Sequence, residues 1–267
     1  MHIIAARCTG RYLSAMPPTE FSGEKFQNPY PPGIENHYWT IARHRIIFRR
    51  LRTMVKARDD LILDVGCGRG ITVQWLRERG LETIGCDLGV PTPATASVAP
   101  HLYLGAAAES LPPDLAARVK IILLLDVLEH LPEPAAFLSG LFRHFGNCRQ
   151  AIFTVPARKE LWSNYDKYYG HVMRYNLEDV RRLAKESDCE LQSAGYFFHA
   201  LWMPARIMCA LGKERSTKIF PPGPGTRPLH RIIAGGFFLE ELILPKFVAG
   251  SSILGVIHRP RLTAPGR

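Results

Sequence analysis

Residues 61–70, Leu-Ile-Leu-Asp-Val-Gly-Cys-Gly-Arg-Gly, constrain this chain more than any other stretch. An apolar run long enough for a buried strand carries an acid, Asp64, near its end, and Gly66, Gly68 and Gly70 follow on alternate positions. Glycine takes the backbone through conformations closed to other residues and lets it approach a ligand, and a helix that follows presents unpaired N–H groups. Such a turn after a first strand suits a nucleotide-like cofactor; a plain tight turn is the alternative. A second acid, Asp87, ends the next strand-like run, where its two oxygens could accept hydrogen bonds from a ribose diol.

Strand-like and helix-like runs alternate around this turn. Helical patterns cover 34–57, 71–79 (closed by Gly80) and 133–145, and apolar strand-like runs cover 61–66, 81–88, 101–106, 120–127 and 149–156. A helix capped by Asn176, a strand over 189–198, a helix near 200–211, a breaker-rich stretch, another helix and a strand over 251–259 complete the chain. This alternation predicts an α/β fold, a parallel doubly wound sheet with ligands at the carboxyl ends of its strands. The expected organisation is an irregular Pro- and Gly-rich arm over 1–33, one domain over 34–260 with inserts near 157–176 and 196–248, and a tail over 261–267.

The formal charge of +10 favours anionic partners: nucleic acid, a membrane surface or acidic small molecules. Much of the excess lies in 43–58, read as the solvated face of a helix whose apolar stripe includes Ile46, Ile47, Leu51 and Met54. Six scattered cysteines without a paired spacing read as reduced thiols of a cytoplasmic protein. The first residues are too short an apolar run for a signal peptide, and no stretch reaches membrane-spanning length without charge.

The segments 61–70, 84–88 (IGCDL), 106–112 (AAAESLP) and 123–134 (LLLDVLEHLPEP) resemble, in order and spacing, the class I S-adenosylmethionine-dependent methyltransferases. The resemblance extends to 35–45, 155–176 and 250–260, which look like a bacterial subgroup related to ubiquinone-type O-methyltransferases. It implies a Rossmann-like seven-stranded sheet of order 3-2-1-4-5-7-6, with the last strand antiparallel, and S-adenosylmethionine as cofactor. Carried over by position, Asp64, Gly66, Cys67 and Gly68 would line the amino-acid end of the cofactor. Asp87 would hold the ribose hydroxyls, with Leu88 against the adenine. Family members often place an acid after the third strand; Ala107 stands there, so the Ala108 backbone or Glu109 must meet the adenine amine. Asp126 and Val127 would sit under the methionine part.

Methyl transfer from a sulfonium is an in-line displacement, so the chain must align an acceptor and remove its proton. His130, after the fourth strand, reads either as the general base or as a support for its loop. Asp126, Glu129 and His130 could instead converge on one divalent cation, although a metal-free site is the preferred reading. Residues 162–176 are too rich in polar aromatics for a plain linker. Within them Asp166 and His171 read as an acceptor-orienting or acid–base pair and Arg174 as an anion anchor, or else Asp166 and Arg174 form a structural pair. His37, Tyr38 and Trp39 could close over the cofactor, with Arg43 pointing inward.

The expected activity is methylation of a small-molecule acceptor, at oxygen for preference. A protein or other macromolecule, or a lipid-like substrate at a membrane surface, is the alternative. Nucleic acid is not expected, because 126–129 lacks the Asn/Asp-Pro-Pro-aromatic turn of base-amine methylases. The apolar segments 196–209 and 232–248 could cover the sheet, form a homodimer face, line a channel, or rest on a membrane beside basic side chains.

Overall fold

The computed structural model describes residues 31–260. The expected 1–33 arm therefore lies outside the described residues except for its last three, as does the 261–267 tail.

Seven strands form one sheet: β1 (Leu61–Val65), β2 (Thr83–Asp87), β3 (Leu102–Leu104), β4 (Val119–Leu125), β5 (Gln150–Pro156), β6 (Glu190–Phe197) and β7 (Ser252–His258), in the order 3-2-1-4-5-7-6. β1 pairs parallel with β2 and β4, β2 with β3, and β4 with β5; β7 runs antiparallel between β5 and β6. All five residues of β1 are buried, as expected for a central parallel strand covered on both faces. The helices are α1 (Tyr38–Met54), α2 (Ile71–Arg77), α3 (Pro113–Arg118), α4 (Pro134–His144), α5 (Asn164–Tyr168), α6 (Leu177–Glu186), α7 (His199–Ala210) and α8 (Arg227–Ile243).

One apolar layer joins Leu61, Leu63, Ile122, Leu124 and Phe153 to α4 and α6. The opposite layer joins Ile62, Ile121, Leu123 and Ile152 to Ile46, Ile47 and Leu51 of α1 and to Phe237 of α8. Alternate residues of β1 and β4 thus face opposite layers, and truncating a leucine such as Leu63 to alanine would cost about 2–5 kcal/mol. α1 starts later than the pattern suggested, because His37 caps it and Ile34–Asn36 form a separate 3-10 turn. α6 starts as read: Asn176 and Asp179 form a reciprocal capping box.

Candidate active site

The site lies where β1, β2 and β4 end side by side. Gly66, Gly68 and Gly70 adopt φ of +77°, +52° and +78°, the left-handed region that disfavours side chains. A Cβ on Gly66 would lie 2.7 Å from Val127 Cγ2, and one on Gly70 2.7 Å from Leu102 Cδ1. Gly66 and Gly70 therefore let the turn pass close to the segment after β4 and to the first residue of β3.

Asp87 fixes this turn. Its Oδ2 accepts the Gly68 N–H and its Oδ1 the Gly89 N–H, both at 2.8 Å. Burial raises its carboxyl pKa, and these two N–H groups oppose the rise. Leu88 beside it is exposed. The Ala108 side chain is packed in the core, so only its main chain can face a ligand, while Glu109 stays half-buried on the 3-10 turn after β3.

Asp64 is buried, and its Oδ1 has no hydrogen-bond partner among the described residues. Burial pushes its pKa up to about 7, Asp87 adding to the rise and the Arg43 guanidinium opposing it. Asp64 lines a cleft continuous with solvent, whose walls include Thr40, Arg43, Gly66, Cys67, Arg69 and Thr72.

α1 supplies a cation that its charge run conceals. The expected solvated face fails at Arg43 and His44, which are buried. Arg43 lies over the Trp39 ring, 4.2 Å from its centroid, and its Nη1 donates to Asp126 Oδ2. His44 Nε2 meets Thr72 Oγ1 at 3.1 Å and ties α1 to α2. Asp126 itself stands at φ +59°, held by the Thr154 hydroxyl on Oδ1 (2.9 Å) and by its own N–H to the Thr154 carbonyl (3.0 Å). The aromatic lid is not formed by His37, Tyr38 and Trp39. The His37 ring accepts the Trp39 N–H, Tyr38 stacks on Phe237, and Trp39 stacks on Phe198.

Past β4 the chain makes a 3-10 turn, Leu128–His130, against the 162–176 loop. The Val172 N–H donates to the Glu129 carbonyl at 2.8 Å and the Tyr175 hydroxyl to the Leu128 carbonyl at 3.0 Å. These bonds bring His130 and His171 into edge contact, ring centroids 4.9 Å apart. Burial lowers the His130 pKa to about 4, with His171 adding to the effect. His171 Nδ1 lies 2.9 Å from Asp166 Oδ1, and Arg174 Nε donates to the same oxygen at 2.8 Å. Asp166 also accepts the Ser163 N–H at 2.9 Å as part of the capping box of α5. Burial works to raise the Asp166 pKa, but the hydrogen bonds and charges of His171 and Arg174 outweigh it, and the carboxyl sits below its ordinary value. Arg174 spends Nη1 on the Ala157 carbonyl at 3.0 Å. Its Nε and Nη1 thus tie it to Asp166 and to the main chain after β5.

The alternative cation site of Asp126, Glu129 and His130 is not assembled, because Asp126 turns to Arg43 and Thr154. Among the described residues, the group with ligating atoms mutually within 4.8 Å is Glu129, His130 and His171. Glu129 is buried, and burial together with the Asp126 charge pushes its pKa well above the ordinary carboxylate range.

Sequence reasoning noted that Arg43 points inward but assigned it no partner, and it missed Thr40, Arg69, Thr72 and Thr154. The available signal was phase: Arg43 lies on the same helical face as Ile46 and Ile47.

The methyltransferase domain family matches residues 38–194, more than half of the chain's 267 residues. A ubiquinone biosynthesis O-methyltransferase of Pseudomonas fluorescens (strain SBW25) is 31% identical over 105 residues, which cover 36% of this chain and 44% of that protein. A Mycolicibacterium smegmatis protein named for S-adenosylmethionine-dependent methyl transfer is 27% identical over 174 residues, covering 63% of this chain and 66% of its own length. The chain thus spans less than two thirds of either relative. A Haloferax volcanii methyltransferase solved in complex with the Trm112 methyltransferase activator shares the fold, with a TM-score of 0.53 at 13% identity, over 90% of this chain and 97% of that one. The chain belongs to the methyltransferase domain family, within the class I S-adenosylmethionine-dependent group whose sheet order it carries.

The cofactor of that group is S-adenosylmethionine, and the residues present fit it. The orphaned, buried Oδ1 of Asp64 suits a cationic amine. The Asp87 oxygens each accept one N–H and retain a lone pair for a hydroxyl donor. The positive-φ glycines leave main chain, not side chains, between the two acids.

Proposed function

We propose that this chain methylates a small-molecule acceptor, at a hydroxyl oxygen. S-adenosylmethionine supplies the activated methyl group on its sulfonium when bound. In this reading Asp64 holds the amine of its amino-acid end, and Asp87 holds the ribose hydroxyls with Leu88 against the base. Gly66, Cys67 and Gly68 form the floor between the acids. The main chain at Ala108, or the Glu109 carboxylate, meets the adenine amine. Asp126, neutralised by Arg43, and Val127 line the wall toward the acceptor.

The observation that carries the reading is the Asp166–His171 pair set against His130 at the end of β4. An Nδ1–H donated to Asp166 fixes the tautomer and leaves Nε2 as the nitrogen that can accept a proton. His171 therefore takes the acceptor's proton. His130, held neutral by burial, positions the acceptor. Burial also favours the protonated form of Glu129, which can then donate a hydrogen bond to an acceptor oxygen. Arg174 holds the Asp166 carboxylate in place. The base acts without a metal ion, and the protein works as a cytoplasmic enzyme.

The test is an acceptor screen with radiolabelled S-adenosylmethionine against phenols, catechols, carboxylates and amines, followed by single-turnover rates of the best acceptor. O-methyl product with wild type and a large loss in His171→Ala supports the reading. Transfer confined to protein or nucleic acid, or to nitrogen, would replace it.

A further inference from the structure

We propose that the β6–β7 insertion, α7 with α8 and their connector, docks on an anionic lipid bilayer. The docking rests on exposed side chains and not on the methyl-transfer reading.

α8 carries apolar side chains on two sides, one toward α1 and one away from it. Ala234 and Phe237 face α1, while Leu229, Ile232, Leu239 and Ile243 are 55%, 72%, 53% and 68% exposed. With Gly236, these outer positions follow a 3-4-3-4 spacing, so they form one stripe along the side of the helix away from the core. α7 repeats the pattern, with Met203 and Ile207 bare on its outer side. Phe220 precedes α8 and Phe247 follows it, both exposed. A folded domain rarely leaves an apolar stripe running the length of a helix bare to water.

Charge selects what covers it. The insertion exposes Arg206, Lys213, Lys218, Arg227 and Arg231, against one exposed acid, Glu214. Its other acids are engaged: Glu240 accepts the first N–H groups of α7, and Glu241 is buried among Arg49, Arg50 and Lys246. A second copy of the chain would bring the same cations to the same rim. An anionic bilayer meets both features, with apolar side chains entering the headgroup boundary and basic ones meeting lipid phosphates. No helix of the described residues is long and apolar enough to cross a membrane, so the contact lies in the interface.

The placement has a consequence for the acceptor. The connector is fastened to the acceptor-side loop: Asn164 bonds the Arg215 carbonyl and N–H, both at 2.9 Å, and the Tyr169 hydroxyl donates to the Thr217 carbonyl at 2.5 Å. A docked insertion therefore sets the loop carrying Asp166 and His171 beside the lipid surface, where an amphiphilic acceptor would be concentrated.

The experiment is sedimentation of the full chain with vesicles of phosphatidylcholine alone or mixed with phosphatidylglycerol, alongside light scattering to read its oligomeric state. Binding is expected to the mixed vesicles and to weaken with salt. Each basic side chain contributes about fivefold in partitioning, so Arg227→Gln with Arg231→Gln should lose roughly 30-fold. Ile232→Asp with Leu239→Asp should abolish binding while circular dichroism and S-adenosylhomocysteine affinity stay unchanged, since both positions are exposed and away from the cleft. Absence of wild-type binding, or undiminished binding by the Asp variant, overturns the proposal. So does a solution dimer that the Asp substitutions dissociate and that binds no vesicles, because a second copy would then cover the stripe.

Discussion

Replacing Asp64 with asparagine should stabilise the ligand-free protein while weakening its hold on the cofactor. Asp64 is buried at the end of β1, and its pKa is raised from 3.8 to about 7. Between those values the unfolded chain has lost the proton and the folded chain keeps it, so stability falls as pH rises through that window. The full separation, about 3 units at 1.36 kcal/mol each, sets a ceiling near 4 kcal/mol, and partial hydration of the cleft brings the expected figure to about 1–3 kcal/mol. An asparagine carries no charge to bury. At pH 8 the variant should melt higher than wild type, by about 2–4 °C for each kcal/mol, and at pH 4 the difference should nearly vanish. Calorimetry with S-adenosylhomocysteine should show the opposite sign. Losing a charged partner for the ligand amine costs about 1.5–3 kcal/mol, or roughly 10–150-fold in affinity. A melting difference independent of pH would refute the buried-charge argument, and unchanged affinity would remove Asp64 from the amine.

Gly66→Ala should destabilise the fold by at least about 1–2 kcal/mol through its left-handed backbone, with a further loss from the contact with Val127. Adding Val127→Ala should recover the second part only, which a double-mutant cycle in denaturant resolves. Asp166→Ala should cost about 3–5 kcal/mol by stranding buried Arg174, seen as a lowered denaturant midpoint with unchanged slope. His171→Ala should slow single-turnover transfer by about 10²–10⁴-fold with cofactor affinity intact, and His130→Ala should slow it less; near-wild-type rates in both would make the two residues structural. Chelator treatment should leave transfer unaffected, whereas complete loss restored by magnesium or zinc would put a cation on Glu129, His130 and His171.

The residues themselves marked the tight turn after β1, because three glycines on alternate positions ask for backbone conformations closed to other residues, as their positive φ bears out. The buried runs of β1 and β4 marked a parallel sheet for a similar reason: strands covered on both faces read as continuous apolar segments. The sheet order came from the resemblance, since strand neighbours depend on crossovers that no local pattern records. Arg43 was half-legible. Its phase with Ile46 pointed inward, but its salt bridge crosses 83 positions to a residue held in a rare backbone conformation by Thr154. The 162–176 loop announced itself by composition, yet which of Asp166's two partners, His171 or Arg174, matters for chemistry depends on a geometry only the fold supplies. α8 was legible only as an apolar segment with several uses, because which of its sides meets the core depends on its packing against α1, and the structure leaves the opposite side bare.

The central claim, that the acid–glycine turn binds an adenosyl cofactor, is tested most directly by titrating S-adenosylhomocysteine into the wild-type chain and Asp87→Ala in a calorimeter. Saturable one-to-one binding, with at least about a tenfold loss in the variant, is the predicted result. Absence of binding to the folded wild-type chain, or equal affinity in the two proteins, would contradict it.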